Sequence, residues 1–141
     1  MITEMIMAMY LWIAPNMNVT VEQLEHMPQP KIEIVSQEFI LEKATPGAIA
    51  FYDEKKEKDK IYISEKVDFS TNYGKSVLLH ELIHYVQFTL ETEYHHECDQ
   101  KYERTAYTLQ NKWMAEHGEN EVMSEQNIKF LSFCFRHTDK L

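Results

Sequence analysis

Glycine and proline are scarce in this sequence, three and four residues among 141. A chain so poor in linker residues, with 44% of its residues hydrophobic, is not a disordered segment or a string of modules. A single domain over 1–141 is the expectation. Cysteine is scarcer still. Cys98 and Cys134 cannot build a four-cysteine zinc site and permit at most one disulfide. Sequence leaves their pairing open: a bond implies an oxidising compartment and export, and a distant pair supports a lean towards the cytoplasm.

Basic residues are outnumbered 14 to 23, and the net charge of −9 opposes binding to a phosphate backbone, so no nucleic-acid partner is expected. The one dense charge run, DEKKEKDK at 53–60, mixes both signs and reads as a solvated turn. No Lys or Arg precedes Lys31, and no A-x-A site follows the apolar stretch MIMAMYLWIA at 5–14. That stretch is too short to span a bilayer and reads as a core helix ended by Pro15. No membrane span is expected, and the lean is towards the cytoplasm.

What is present is a series of short elements followed by longer ones. Thr20 and Gln23 form a capping-box pattern for a helix reaching Met27, which Pro28 and Pro30 close. A strand follows at 32–35, then helical character at 37–44 and a Pro46-Gly47 turn. Residues 48–52 and 61–63 read as a hairpin around the charged run. From a cap at Ser70 or Thr71 the chain turns helical, and VLLHELIHYVQFTL is apolar around nearly its whole circumference, so this helix must be buried. A second long helix is expected over 97–116, stopped near Gly118, and a last one from Ser124 to about Arg136. Met5, Met7, Met9, Tyr10 and Trp12, together with Phe130, Phe133 and Phe135, read as core filler. The class is α+β: a small sheet, then three helices.

Within the buried helix His80, Glu81 and His84 spell HELIH, an H-E-x-x-H motif. Residues four apart share one helix face, so both imidazoles reach a single ion. Glu81 is rotated about 100° from His80 and lies beside the ion's open position, where it can take a proton from water. The motif arises by chance in about 4% of chains of this composition, so context has to support it. A polar stripe of His80, His84, Gln87 and Glu91 runs down an otherwise apolar helix, and buried imidazoles need partners that a cation supplies. Catalytic zinc also takes a third protein ligand.

HExxH followed after 18 residues by Glu103, then E-x-x-A through Ala106, resembles the gluzincin metallopeptidases of the aminopeptidase branch. Over 70–115 the chain also looks like a group of small microbial minimal zincins. The resemblance implies a zincin-like fold, Zn2+ held by His80, His84 and Glu103, Glu81 as catalytic base, and a peptide or protein substrate. Glu97, Asp99, His95 and His96 are the rival ligands. They follow soon after the first long helix, whereas Glu103 stands part-way back along an antiparallel partner. Tyr107, one turn beyond Glu103, could steady the oxyanion or brace the ligand, and packing is an equal use for it; Tyr94, His95 and His96 are weaker candidates. The chain is too short for the helical subdomain of thermolysin-like enzymes, and it lacks G-x-M-E-N. Gln87 and Leu90 exclude the metzincin pattern.

The expectation is thus a zinc-dependent hydrolase, with a peptidase foremost. Its alternative is a non-catalytic protein in which the same zinc holds two helices together. Oligomeric state has no signal in the sequence, and 32–35 and the 48–63 hairpin are equal candidates for a substrate-aligning edge strand.

Overall fold

The computed structural model describes residues 2–134. Helix α1 (Ile2–Asn16) does not stop at Ala14 but carries Pro15 within its last turn. The Met17 and Val19 amides bond back to the Ile13 and Ala14 carbonyls at 2.9 and 3.0 Å and extend the turn past the proline. Asn18, at φ 57°, then redirects the chain. Helix α2 (Val21–His26) has the expected capping box: the Thr20 hydroxyl accepts from the Gln23 amide at 3.0 Å, and the Gln23 side chain accepts from the Thr20 amide at 2.8 Å.

Strand β1 (Lys31–Val35), helix α3 (Gln37–Lys43), and strands β2 (Ala50–Phe51) and β3 (Lys60–Ser64) follow. β2 and β3 form the hairpin read from the sequence, pairing antiparallel at Ala50 with Ile63 and Phe51 with Tyr62. β1 joins the other side of β3 in parallel, with Ile32 opposite Ile61 and Ile34 opposite Ile63, in the order β1-β3-β2. The last strand in sequence is therefore the central one. Ile61, Tyr62, Ile63 and Ser64 are all buried, as a strand flanked on both sides requires.

Helix α4 (Asn72–Leu90) is capped by Thr71, whose hydroxyl accepts from the Gly74 amide at 3.0 Å. Gly74 is obligatory for space: a Cβ there would lie 2.0 Å from the Asp68 carbonyl oxygen. Leu78, Leu79, Leu82, Ile83 and Val86 are fully buried and form one cluster with Ile6 and Ile13 of α1, Ile61 and Ile63 of β3, and Ala106 of the next helix. α4 is thus the axis of the core, which is why its apolar residues run all the way round.

Helix α5 (Tyr102–Glu116) begins five residues later than the expected Glu97, after a 3₁₀ turn at Asp99–Lys101. Cys98 is extended there (φ −171°, ψ 156°) and is bonded to Cys134, which holds that stretch out of a helix. Gly118, at φ 75°, ends α5 as expected, and the Trp12 indole of α1 donates to Glu116 at 2.7 Å. Helix α6 (Glu125–Leu131), capped by Ser124, ends short of the expected Arg136, a position outside the described residues. The Ser132 hydroxyl folds back on the Ile128 carbonyl at 2.7 Å, and the chain leaves the helix there. α6 buries only Ile128, so Phe130 and Phe133 are exposed rather than core filler, as is Met7 on α1, while Phe135 lies outside the described residues.

The described residues form six α-helices and one three-stranded sheet, an α+β arrangement. Among them no helix is long and apolar enough to cross a membrane. The Cys98–Cys134 bond, with Cα atoms 5.7 Å apart, is compatible with an exported protein and removes the ground for a cytoplasmic lean.

Candidate metal centre

His80 and His84 project one turn apart from α4, and Glu103 projects from the first turn of α5, where a carboxylate also complements the helix dipole. Their three ligand-type atoms lie within 4.8 Å of one another. Glu103 Oε1 stands 3.1 Å from His80 Nε2 and in direct contact with His84 Nε2. The fully buried Ala106, one turn after Glu103, lies against α4 where the two helices meet.

The protons on the outer ring nitrogens follow from the groups behind them. The Ser76 hydroxyl donates to the Tyr73 carbonyl at 2.7 Å, leaving a lone pair that accepts from Gln110 Nε2 at 3.0 Å. Gln110 Oε1 must then face His80 Nδ1, 2.8 Å away, and can only accept from it. Behind His84, Gln87 Nε2 donates to the Tyr102 carbonyl at 3.1 Å and to Glu93 Oε1, so Gln87 Oε1 accepts from His84 Nδ1 at 2.8 Å. Both imidazoles therefore carry a proton on Nδ1 and turn Nε2 inward.

Two inward nitrogens and a carboxylate oxygen repel one another unless positive charge stands among them. Without a metal, that charge is a proton. Burial lowers the His84 pKa, but the hydrogen bond and charge of Glu103 outweigh it and bring the pKa up to about 9. Burial likewise raises the Glu103 pKa, and the bonds from His80 and His84 overcome it and hold the carboxyl far below its usual range. The same donor set, two imidazole nitrogens and one carboxylate oxygen, fits zinc.

Glu81 is buried, faces the same cavity, and receives no hydrogen bond on its carboxylate from the described residues. Burial pushes its pKa up, with His80 and His84 pulling the other way. The Tyr107 ring packs 4.4 Å from the His80 ring, centroid to centroid, and lines the cavity; burial, then Glu103, raises its pKa.

None of the rivals to Glu103 joins the cluster. Tyr94 and His96 are exposed and stack loosely on each other, Glu97 is exposed, and His95 pairs with Glu93 at 3.4 Å. Asp99 reaches the cavity rim, where Lys55 pairs with it at 3.3 Å. Glu91 does not continue the polar stripe: it is the exposed, left-handed residue (φ 50°) that ends α4. Sequence reading missed Gln110, Ser76, Glu93 and Thr105. Gln110, seven positions and two turns after Glu103 on α5, had a helical-periodicity signal; Glu93 had none.

The family model described as a domain of unknown function, DUF6647, matches residues 1–139. The chain belongs to this family. No curated protein and no solved structure matches it. In this DUF6647 chain the centre opens on a cavity of about 650 Å³. One wall is the 44–52 segment with β2, and another is the loop at Val122 and Met123, pinned by Asn111 through bonds of 2.7 Å to each. Phe88, Tyr102 and Val77 give the floor an apolar character. β1, at the opposite edge of the sheet, lines none of it.

Proposed function

We propose that the chain is a zinc-dependent hydrolase of zincin-like architecture that cleaves peptide bonds, with His80, His84 and Glu103 holding the ion. The reading is carried by one observation: Gln110 and Gln87 commit both Nδ1 protons outward, so that two Nε2 atoms and Glu103 Oε1 converge within 4.8 Å. A zinc ion there supplies a Lewis acid that polarises a carbonyl and acidifies water.

Glu81 takes the proton of the attacking water and returns it to the leaving amine. Its place supports this role: it is buried beside both histidines, faces the cavity and receives no hydrogen bond from the described residues that would occupy its carboxylate. Tyr107 stands beside His80 and faces the cavity, where its hydroxyl can donate to the developing oxyanion. β2 is an edge strand on the cavity wall, suited to aligning an extended peptide by strand addition, which favours a peptide over a compact substrate. The Cys98–Cys134 bond supports action in an oxidising compartment. A purely structural ion would need neither a buried, unbonded Glu81 nor a cavity beside it.

The test joins metal content to turnover. The parent should hold about one zinc per chain, and Glu81→Gln should retain that zinc while hydrolysis of a peptide library falls about 10²- to 10⁴-fold. His84→Ala should release the metal and melt at a lower temperature. Unchanged hydrolysis in Glu81→Gln would overturn the catalytic assignment. Tight zinc without cleavage of any peptide would establish the non-catalytic alternative instead.

A further inference from the structure

The hydrogen-bond chains behind the two histidines end differently. Behind His80 the chain runs through Gln110 and Ser76 to the Tyr73 carbonyl, every member of it neutral. Behind His84 it runs through Gln87 to the carboxylate of Glu93. Glu93 lies in no motif and in no helix, yet it is held from several sides. Its Oε2 accepts from the Thr105 hydroxyl of α5 at 3.0 Å and faces His95 Nε2 at 3.4 Å, while its backbone carbonyl lies 3.5 Å from the Tyr102 hydroxyl. Gln87 is almost completely buried and commits both of its N–H groups, to Glu93 and the Tyr102 carbonyl, while its oxygen accepts from His84.

We propose that Glu93 is a positioning residue for the metal centre, acting on His84 through Gln87. Negative charge beyond the Gln87 amide N–H polarises that amide, makes its oxygen a stronger acceptor, and draws the Nδ1 proton of His84 towards it. More electron density is then left at His84 Nε2, so His84 is the stronger donor of the pair and His80 the weaker. The same contacts tie the end of α4 to the start of α5, so one carboxylate both orients the ligand histidine and registers the helix that carries Glu103. The consequence for zinc rests on the function proposed above; the hydrogen-bond chain itself does not.

Glu93→Gln is the informative variant, since it keeps an acceptor for Gln87 and removes the charge, while the amide N–H that replaces Oε2 can donate to the Thr105 hydroxyl oxygen. Two measurements are made on parent and variant. In the metal-free protein, the hydrogen-bonded Nδ1 proton of His84 is followed by 1H–15N NMR and should move upfield in Glu93→Gln, while that of His80 stays in place. Zinc affinity is measured by chelator competition and should fall about tenfold, the lower end of the usual effect of a group behind a metal ligand. The melting temperature of the metal-free protein should change little. An unmoved His84 resonance overturns the proposal whether or not zinc binds, and so does parental zinc affinity in the variant. A loss of affinity matched by a lower metal-free melting temperature would make Glu93 a structural residue only and also overturn it. If the parent takes up no zinc, the function proposed above fails, and the His84 resonance still decides the polarised chain.

Discussion

Gln110 of α5 accepts the Nδ1 proton of His80 on α4 at 2.8 Å, across 30 positions of sequence. The pair is buried and reciprocal: His80 has a fixed ring orientation because of Gln110, and Gln110 a fixed amide orientation because of Ser76. Gln110→Leu should therefore act twice. The stranded N–H should cost about 1–3 kcal/mol of stability, read from urea unfolding of the metal-free protein. Zinc affinity should fall about 10- to 100-fold, read by chelator competition.

Metal uptake should release protons below pH 9, the pH at which His84 gives up its proton in the metal-free protein. Apparent zinc affinity should rise with pH up to about 9, measured by calorimetry in buffers of different ionisation enthalpy. The stability of the metal-free chain should run the other way. A histidine whose pKa rises from 6.5 to about 9 on folding adds stability that is complete below pH 6.5 and lost as pH passes 9. Glu103, with its pKa lowered, adds stability above its unfolded value that disappears only in strong acid.

Reducing the Cys98–Cys134 bond reopens a loop of 36 residues. Chain entropy for such a loop is worth about 4 kcal/mol. Cys98→Ser should lower the denaturation midpoint accordingly, and a thiol reductant should do so for the parent but not for the variant.

Gly74→Ala should be among the most damaging small substitutions in the chain. The new methyl would sit 2.0 Å from a backbone oxygen that also receives the Thr71 hydroxyl and amide. Relief requires unwinding the first turn of α4, at a cost of about 3 kcal/mol or more. Circular dichroism melting of the variant beside the parent checks it.

The caps of the structure were legible because they are local. Thr20 with Gln23, Ser124 and Gly118 act within four residues of themselves. The spacing of His80 and His84 was legible for the same reason, as the α-helical period alone puts them on one face. Residues 97–101 were misread as the first turn of α5 because the Cys98–Cys134 bond, a contact across 36 positions, overrides local propensity there. Phe130 was misread because hydrophobicity alone does not say which face of a short helix is covered, and Phe133 because α6 ends at Leu131, before reaching it.

By itself, then, the sequence determined the order and class of the elements, the burial of α4 and the pairing of His80 with His84, all consequences of periodicity over a few residues. Tertiary structure decided that β1 joins β3 in parallel, that β2 and not β1 walls the cavity, that Cys98 meets Cys134, and that Gln110 and Glu93 complete the hydrogen-bond chains behind the histidines. Most of those relations join residues far apart along the chain. No repeat or spacing rule encodes them, because they exist only once the buried faces of α1, α4, α5 and the sheet have closed on one another.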